Sequence, residues 1–207
     1  MNTESATSLR DRQAEQLRDE LRHQFVNLVL EKGFEGFTMQ DVADAAGVSV
    51  RTVYRYFPSR EAFAEDLRKQ ARRGQQEMES RRGPGHWMEN PEFFAATFES
   101  FEGRADLIRA GRAIRESGID PVGTGDRTEE VRARLEASDD VHPEAVAQLT
   151  GVLRLLGSTD AWLRLTEGDI GLDSREAGHA VQWAMEVVME AVKDVEGPLR
   201  PKGKGNS

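Results

Sequence analysis

Between residues 49 and 73, seven cationic side chains (Arg51, Arg55, Arg60, Arg68, Lys69, Arg72 and Arg73) stand against three carboxylates (Glu61, Glu65 and Asp66), interleaved with Thr52, Tyr54 and Tyr56. A local excess of guanidinium groups with hydroxyl donors between them suits a phosphate-bearing surface, because each guanidinium presents a planar fork of donors that matches phosphate and base-edge acceptors. The excess is local. Residues 1–82 hold 14 basic and 14 acidic side chains, so the whole of the net charge of −9 falls on residues 83–207. An acidic rear half argues against a nonspecific coat on nucleic acid and for a confined contact surface.

Other chemistries have weaker support. The chain has no cysteine, which removes disulfides, thiolate zinc sites, iron–sulfur clusters and cysteine nucleophiles together. Asp139, Asp140, His142 and Glu144 put oxygen and imidazole ligands close in sequence. They stand in a loop just before Pro143, where such residues commonly make turns and caps, and capping is the favoured reading over a metal site. Gly123-Thr124-Gly125 follows no strand and lacks the Lys-Ser/Thr of a phosphate cradle. No Ser/His/Asp ordering or paired-carboxylate motif emerges, so the expectation is a protein that is not an enzyme and needs neither metal nor cofactor. No run approaches the roughly 18–20 apolar residues of a membrane span. The first 30 residues lack the basic start and apolar block of a secretion signal. The reading is a cytoplasmic chain that does not enter a membrane.

The elements that must carry the cationic cluster follow from periodicity. Leu17, Leu21, Phe25, Leu28 and Val29 recur at helical spacing and Gly33 stops them. Thr38-Met39-Gln40-Asp41 can cap a second helix, whose inner stripe is Val42, Ala43 and Ala46. Gly47 permits a sharp exit, Ser49 can cap a third helix, and Val53 and Phe57 supply its inner face. Pro58-Ser59 ends that helix and opens a fourth, with Phe63 and Leu67 inward, running to about Ser80. Two helices joined by a tight glycine turn, the second short and bearing Arg, Thr and Tyr outward, form the layout of a helix-turn-helix. Its second helix, about 10–12 Å across, fits a DNA major groove about 12 Å wide.

The string from Gly36 to Glu61, above all Ala46-Gly47-Val48-Ser49 and Tyr54-Arg55-Tyr56-Phe57-Pro58-Ser59-Arg60-Glu61, strongly resembles the DNA-binding segment of tetracycline-repressor-like (TetR family) regulators. The close resemblance covers about residues 20–68. It implies that Val50, Arg51, Thr52 and Arg55 occupy the outward positions that read base edges. It implies too that Thr38, Tyr54, Tyr56 and Arg60 meet phosphate, with Gln40 and Ser49 completing the DNA-binding set. Tyr56 and Arg60 stand where many relatives carry His and Lys.

Behind a break at Arg81 to His86, residues 69–196 read as all-helical. Helices are expected from Phe93, from Asp106 to Ser117, from Arg127 to Ala137, from His142 to about Glu167 as one element, and from Ser174 to Val195, the last capped by Asp173 and Glu176. The resemblance reaches this half only in its helical layout and its two long final helices, the pair through which such proteins usually dimerise. It implies an effector pocket here, with Trp87, Phe94, Phe98, Phe101, Ile108, Arg112 and Trp162 as candidates, although a Phe stripe at helical spacing is more often plain core. Arg109, Arg112 and Arg115 are read as a salt-bridged strip before an anion clamp.

The expected fold is therefore all-α: an extension (1–13), a three-helix DNA-binding domain containing the helix-turn-helix (14–68), a helical effector-binding and dimerisation domain (69–196) and a tail (197–207). Arg10 and Arg12 in the extension are read as unstructured chain, with a minor-groove arm as the alternative. The expected function is a homodimeric regulator, a repressor released from an inverted-repeat operator in double-stranded DNA by an unidentified small molecule. The alternative is a DNA-binding regulator without an effector.

Overall fold

A computed structural model describes residues 9–82, 90–119, 125–139 and 141–193. Among them are ten α-helices, one 3₁₀ turn and no strand, so the chain is all-α. Two compact units emerge: Met1–Met78 with Asp106–Val122, and Glu79–Ala105 with Gly123–Ser207.

The first unit is built from α1 (Leu9–Lys32), α2 (Met39–Ala45), α3 (Val50–Tyr56), α4 (Arg60–Arg82, its last four residues falling in the other unit) and α6 (Ala105–Glu116, from Asp106 onward). It takes in a segment from well beyond residue 68, so its chain is not contiguous. Helix α1 starts at Leu9, inside the stretch expected to be loose. Arg10 and Arg12 are thus exposed positions on a helix and not part of a free arm. The residues Leu9 to Gln16 contain neither Gly nor Pro, and adding turns to a helix already nucleated costs little. Residues 1–8 lie outside the described residues.

Phe25, fully buried, is the centre of this unit. Its ring stacks on Phe63 at 4.4 Å and meets Phe37 and Phe34 edge-on at 5.3 and 6.1 Å, while Phe63 stacks in turn on Phe57 at 3.8 Å. Residues from α1, the α1–α2 link, the end of α3 and α4 thus share one aromatic cluster. Truncating any of these buried rings to alanine would cost about 3–5 kcal/mol. Ala110 and Ile114 of α6, both with no exposed surface, complete the same core.

The second unit contains α5 (Phe93–Glu102), α7 (Gly125–Glu136), the 3₁₀ turn Pro143–Ala145, α8 (Val146–Leu156), α9 (Thr159–Thr166) and α10 (Ser174–Lys193). Helices α5 and α10 approach so closely that a Cβ on Gly178 would lie 2.4 Å from the backbone of Ala95; only the absence of a side chain permits the crossing. The capping box expected at α10 is present: the Asp173 N–H donates to Glu176 Oε2 at 3.0 Å and the Glu176 N–H to Asp173 Oδ1 at 2.7 Å. The single helix expected from His142 to Glu167 is instead two. It breaks at Gly157, which lies against Phe94 and Met185, and Ser158 restarts it by accepting the Ala161 N–H at 3.0 Å. His142 Nδ1 accepts the Glu144 N–H at 3.3 Å and so caps the 3₁₀ turn. No group of three metal-ligating side chains forms among the described residues; Asp140 lies outside them.

Candidate nucleic-acid interface

Helices of seven residues are too short to persist alone, and both α2 and α3 are held by caps and by the core. Thr38 and Asp41 close a capping box on α2. The Thr38 N–H and hydroxyl both donate to Asp41 Oδ2, at 2.7 and 2.6 Å, and the Asp41 N–H donates to Thr38 Oγ1 at 3.2 Å. These bonds from Thr38 hold the Asp41 carboxyl below its usual pKa, so the cap stays charged well into acid. Val42 and Ala43 are fully buried. Gly47, at φ +66°, takes a left-handed turn that β-carbons disfavour, and the Val48 N–H closes the turn on Ala43 O at 3.0 Å. Ser49 then accepts the Thr52 N–H at 3.2 Å and pairs its hydroxyl with that of Thr52 at 2.9 Å.

With Val53 and Phe57 buried against the core, the opposite face of α3 turns outward. Arg51 and Arg55 are exposed there with Tyr54, which keeps half its surface. Arg51, Thr52, Tyr54 and Arg55 together line an open hollow of about 350 Å³. Arg51 and Arg55 stand one helical turn apart, about 6 Å along the axis, and neither has a carboxylate partner among the described residues. Other cations of this unit are paired: Arg18 and Arg22 with Asp66, Arg60 with Glu35, Arg68 with Glu65.

Residues 26–67 match the family model for bacterial regulatory proteins of the tetR family. These residues form a DNA-binding domain of the tetR type. The match spans α2, the turn and α3 with the ends of α1 and α4 that pack on them. No curated protein matches the chain. The coarse function follows: a DNA-binding transcriptional regulator. None of its described helices is long and apolar enough to cross a membrane.

Within this tetR-type domain the remaining DNA-binding candidates divide. Gln40 is exposed on α2 and its amide donates to Asp44 Oδ1 at 2.7 Å. Val50 and Tyr56 are half-buried against the core, so Val50 does not occupy the outward position expected for it. It lies one turn before Val53 and shares the inner edge of the helix. Tyr56 also lies under the Arg55 guanidinium, 5.1 Å from its ring centre. Arg60, expected to meet phosphate, has its fork on protein acceptors. Nη1 donates to the carbonyls of Phe34 and Phe37 at 2.8 and 3.3 Å, and Nη2 to Glu35 at 2.9 Å.

One cluster was not anticipated from the sequence. Asp66 on α4, only 8% exposed, accepts from Arg18 Nη2 at 2.8 Å and Arg22 Nε at 2.5 Å. Arg18 also lies over the ring of Phe57, 5.3 Å from its centre, at the exit of α3. Burial pushes the Asp66 carboxyl up, but the Arg22 hydrogen bond and the charges of Arg22 and Arg18 outweigh it and leave the pKa lowered. A signal was available: Arg18 and Arg22 stand four apart on the first helix, and Asp66 interrupts the apolar face of Phe63 and Leu67.

The effector candidates do not collect within one unit. Ile108 and Arg112 belong to α6 of the first unit, where Arg112 Nε donates to Glu116 at 3.2 Å. Phe94, Phe98, Phe101 and Trp162 belong to the second and are buried in its core. There Phe98 stacks on Phe101 at 5.6 Å, Phe101 meets Trp162 edge-on at 5.6 Å, and Trp162 Nε1 donates to Ser174 Oγ at 3.0 Å. Trp87 lies outside the described residues.

Proposed function

We propose that the protein is a homodimeric transcriptional repressor that holds an inverted-repeat operator through two copies of α3. The observation that carries this reading is the outer face of α3, where Arg51 and Arg55 are exposed without a carboxylate partner beside the half-exposed Tyr54. Arg51 and Arg55 read base edges, each able to make a bidentate contact to guanine O6 and N7 worth about 1–3 kcal/mol. Tyr54 donates to phosphate, and Thr38 with Gln40 brings the amino end of α2 to the backbone, which fixes register without carrying sequence information. Ser49 and Thr52 hold the start of α3 in shape.

Self-association is supported by apolar surface left open in the second unit. Trp183 and Val187, four residues apart on α10, are 68% and 50% exposed, and Leu155 on α8 is 67% exposed; large exposed apolar side chains of this kind mark interfaces. A symmetric pair would set the two α3 helices for half-sites about 34–36 Å apart. Release follows by linkage. A small molecule that binds the second unit better when the dimer is off its operator weakens DNA binding by the same coupling factor.

The test is an anisotropy titration of the full chain on a duplex that it selects from a random pool. The expected result is an inverted-repeat sequence, with affinity falling steeply and linearly in log salt. Equal and salt-insensitive binding to every duplex would refute the reading. A second reading, a regulator without an effector, is favoured by the mutual packing of Phe98, Phe101 and Trp162. It predicts that no apolar or aromatic metabolite shifts either the melting temperature or the operator affinity.

A further inference from the structure

We propose that Arg60 is a positioning residue for operator binding, acting through the link between α1 and α2, and not a ligand of phosphate. The inference rests on the DNA-binding reading above. Arg60 is the first residue of α4, and its side chain turns back onto residues 34–37. One nitrogen donates to two main-chain carbonyls of the link, Phe34 at 2.8 Å and Phe37 at 3.3 Å, while the other meets the Glu35 carboxylate at 2.9 Å. The guanidinium carbon lies 5.5 and 5.9 Å from the ring centres of Phe34 and Phe37. A planar fork spreads its donors over separate nitrogens and reaches acceptors lying in different directions while its face meets aromatic rings; an ammonium gathers its three donors on one atom and does not reproduce that two-nitrogen geometry.

The residue after this link is Thr38, whose capping box starts α2. Helices α2 and α3 are joined by the closed turn at Gly47 and packed on one another, so the placement of the link bears on where the outer face of α3 stands. The Arg60 side chain is only 26% exposed and its charge is answered by Glu35. Turning it to a phosphate would break the Glu35 pair and strip the Phe34 and Phe37 carbonyls of their donor. The fork therefore acts on DNA at one remove, by fixing the amino end of α2.

Three variants of the full chain separate this role from a direct contact: Arg60→Gln, Arg60→Lys and Glu35→Gln. Each is titrated by anisotropy on the duplex selected by the unaltered protein and on a scrambled duplex, over a range of salt, at a temperature where circular dichroism shows every variant native. For a positioning residue, Arg60→Lys fails as Arg60→Gln does. Both lose about tenfold in affinity for the selected duplex, with Glu35→Gln losing less. Binding to the scrambled duplex and the salt slope stay as in the unaltered protein. For a phosphate ligand, Arg60→Lys keeps its affinity, and Arg60→Gln weakens both duplexes alike while its salt slope falls by about one; that pattern overturns the assignment. Native variants with undiminished affinity overturn it as well. Failure of the unaltered protein to bind any duplex in a salt-dependent way strikes the parent reading and is distinguishable from both.

Discussion

Replacing Asp66 by Asn should cost the fold about 2–3 kcal/mol at neutral pH. The substitution keeps the shape of the side chain and removes its charge. Two charge-assisted hydrogen bonds are at stake, from Arg18 at 2.8 Å and from Arg22 at 2.5 Å, each worth about 1.5–3 kcal/mol in a buried setting. The sum is reduced for two reasons visible in the structure. The Arg18 side chain keeps 38% of its surface and can find water, and Arg22 retains Asp19 and Glu15 as partners. The loss should therefore fall below the full 3–5 kcal/mol of a broken buried pair. For a chain of this length melting cooperatively it corresponds to a drop of about 5–10 °C, readable by circular dichroism.

The pH dependence gives the sharper test of Asp66. Its folded pKa lies below the unfolded value, so its stabilisation is complete above the unfolded value, near 3.9, and is lost as pH falls through the lowered folded value. The gap between Asp66→Asn and the unaltered protein should thus be constant from neutral pH down to about pH 5 and close only in stronger acid. A gap under about 0.5 kcal/mol at pH 7, or one that widens on acidification, would show that the cluster is not what ties α1 to α4.

Arg51→Ala and Arg55→Ala should each weaken operator binding by about 1–3 kcal/mol and relax preference at one base pair per half-site, as a selection from mutated operators would register; loss spread evenly over all sequences would count against base reading. Trp183→Glu should shift the proposed dimer to monomer in size-exclusion chromatography with light scattering, because it places a charge on a half-open apolar face of α10; an unchanged mass would count against self-association through this face. Gly178→Val should destabilise the second unit by about 1–3 kcal/mol or more in urea titration, since its Cβ would fall 2.4 Å from Ala95; a neutral effect would mean that α5 and α10 are less tightly crossed than described.

Local chemistry determined what local chemistry can. The capping pairs at Thr38/Asp41, Ser49 and Asp173/Glu176, the left-handed Gly47 and the inward positions of Val53 and Phe57 all involve residues within a few positions of one another. Spacing alone therefore places them, and with them the exposed Arg51, Tyr54 and Arg55. Contacts between residues distant in sequence were legible only in three dimensions. The periodicity from His142 to Glu167 gives no warning that Phe94 and Met185 pack against Gly157 at the break between α8 and α9. Ala110 and Ile114 join the core around Phe25 from more than eighty residues away. Arg60 looks like a free cation in the string around it, yet its acceptors lie 23–26 residues earlier. Asp66 likewise meets Arg18 and Arg22 across 48 and 44 residues. A charged side chain keeps or loses its availability for DNA according to which distant carboxylate or carbonyl the folded backbone brings within 3 Å, and no one-dimensional period encodes that distance.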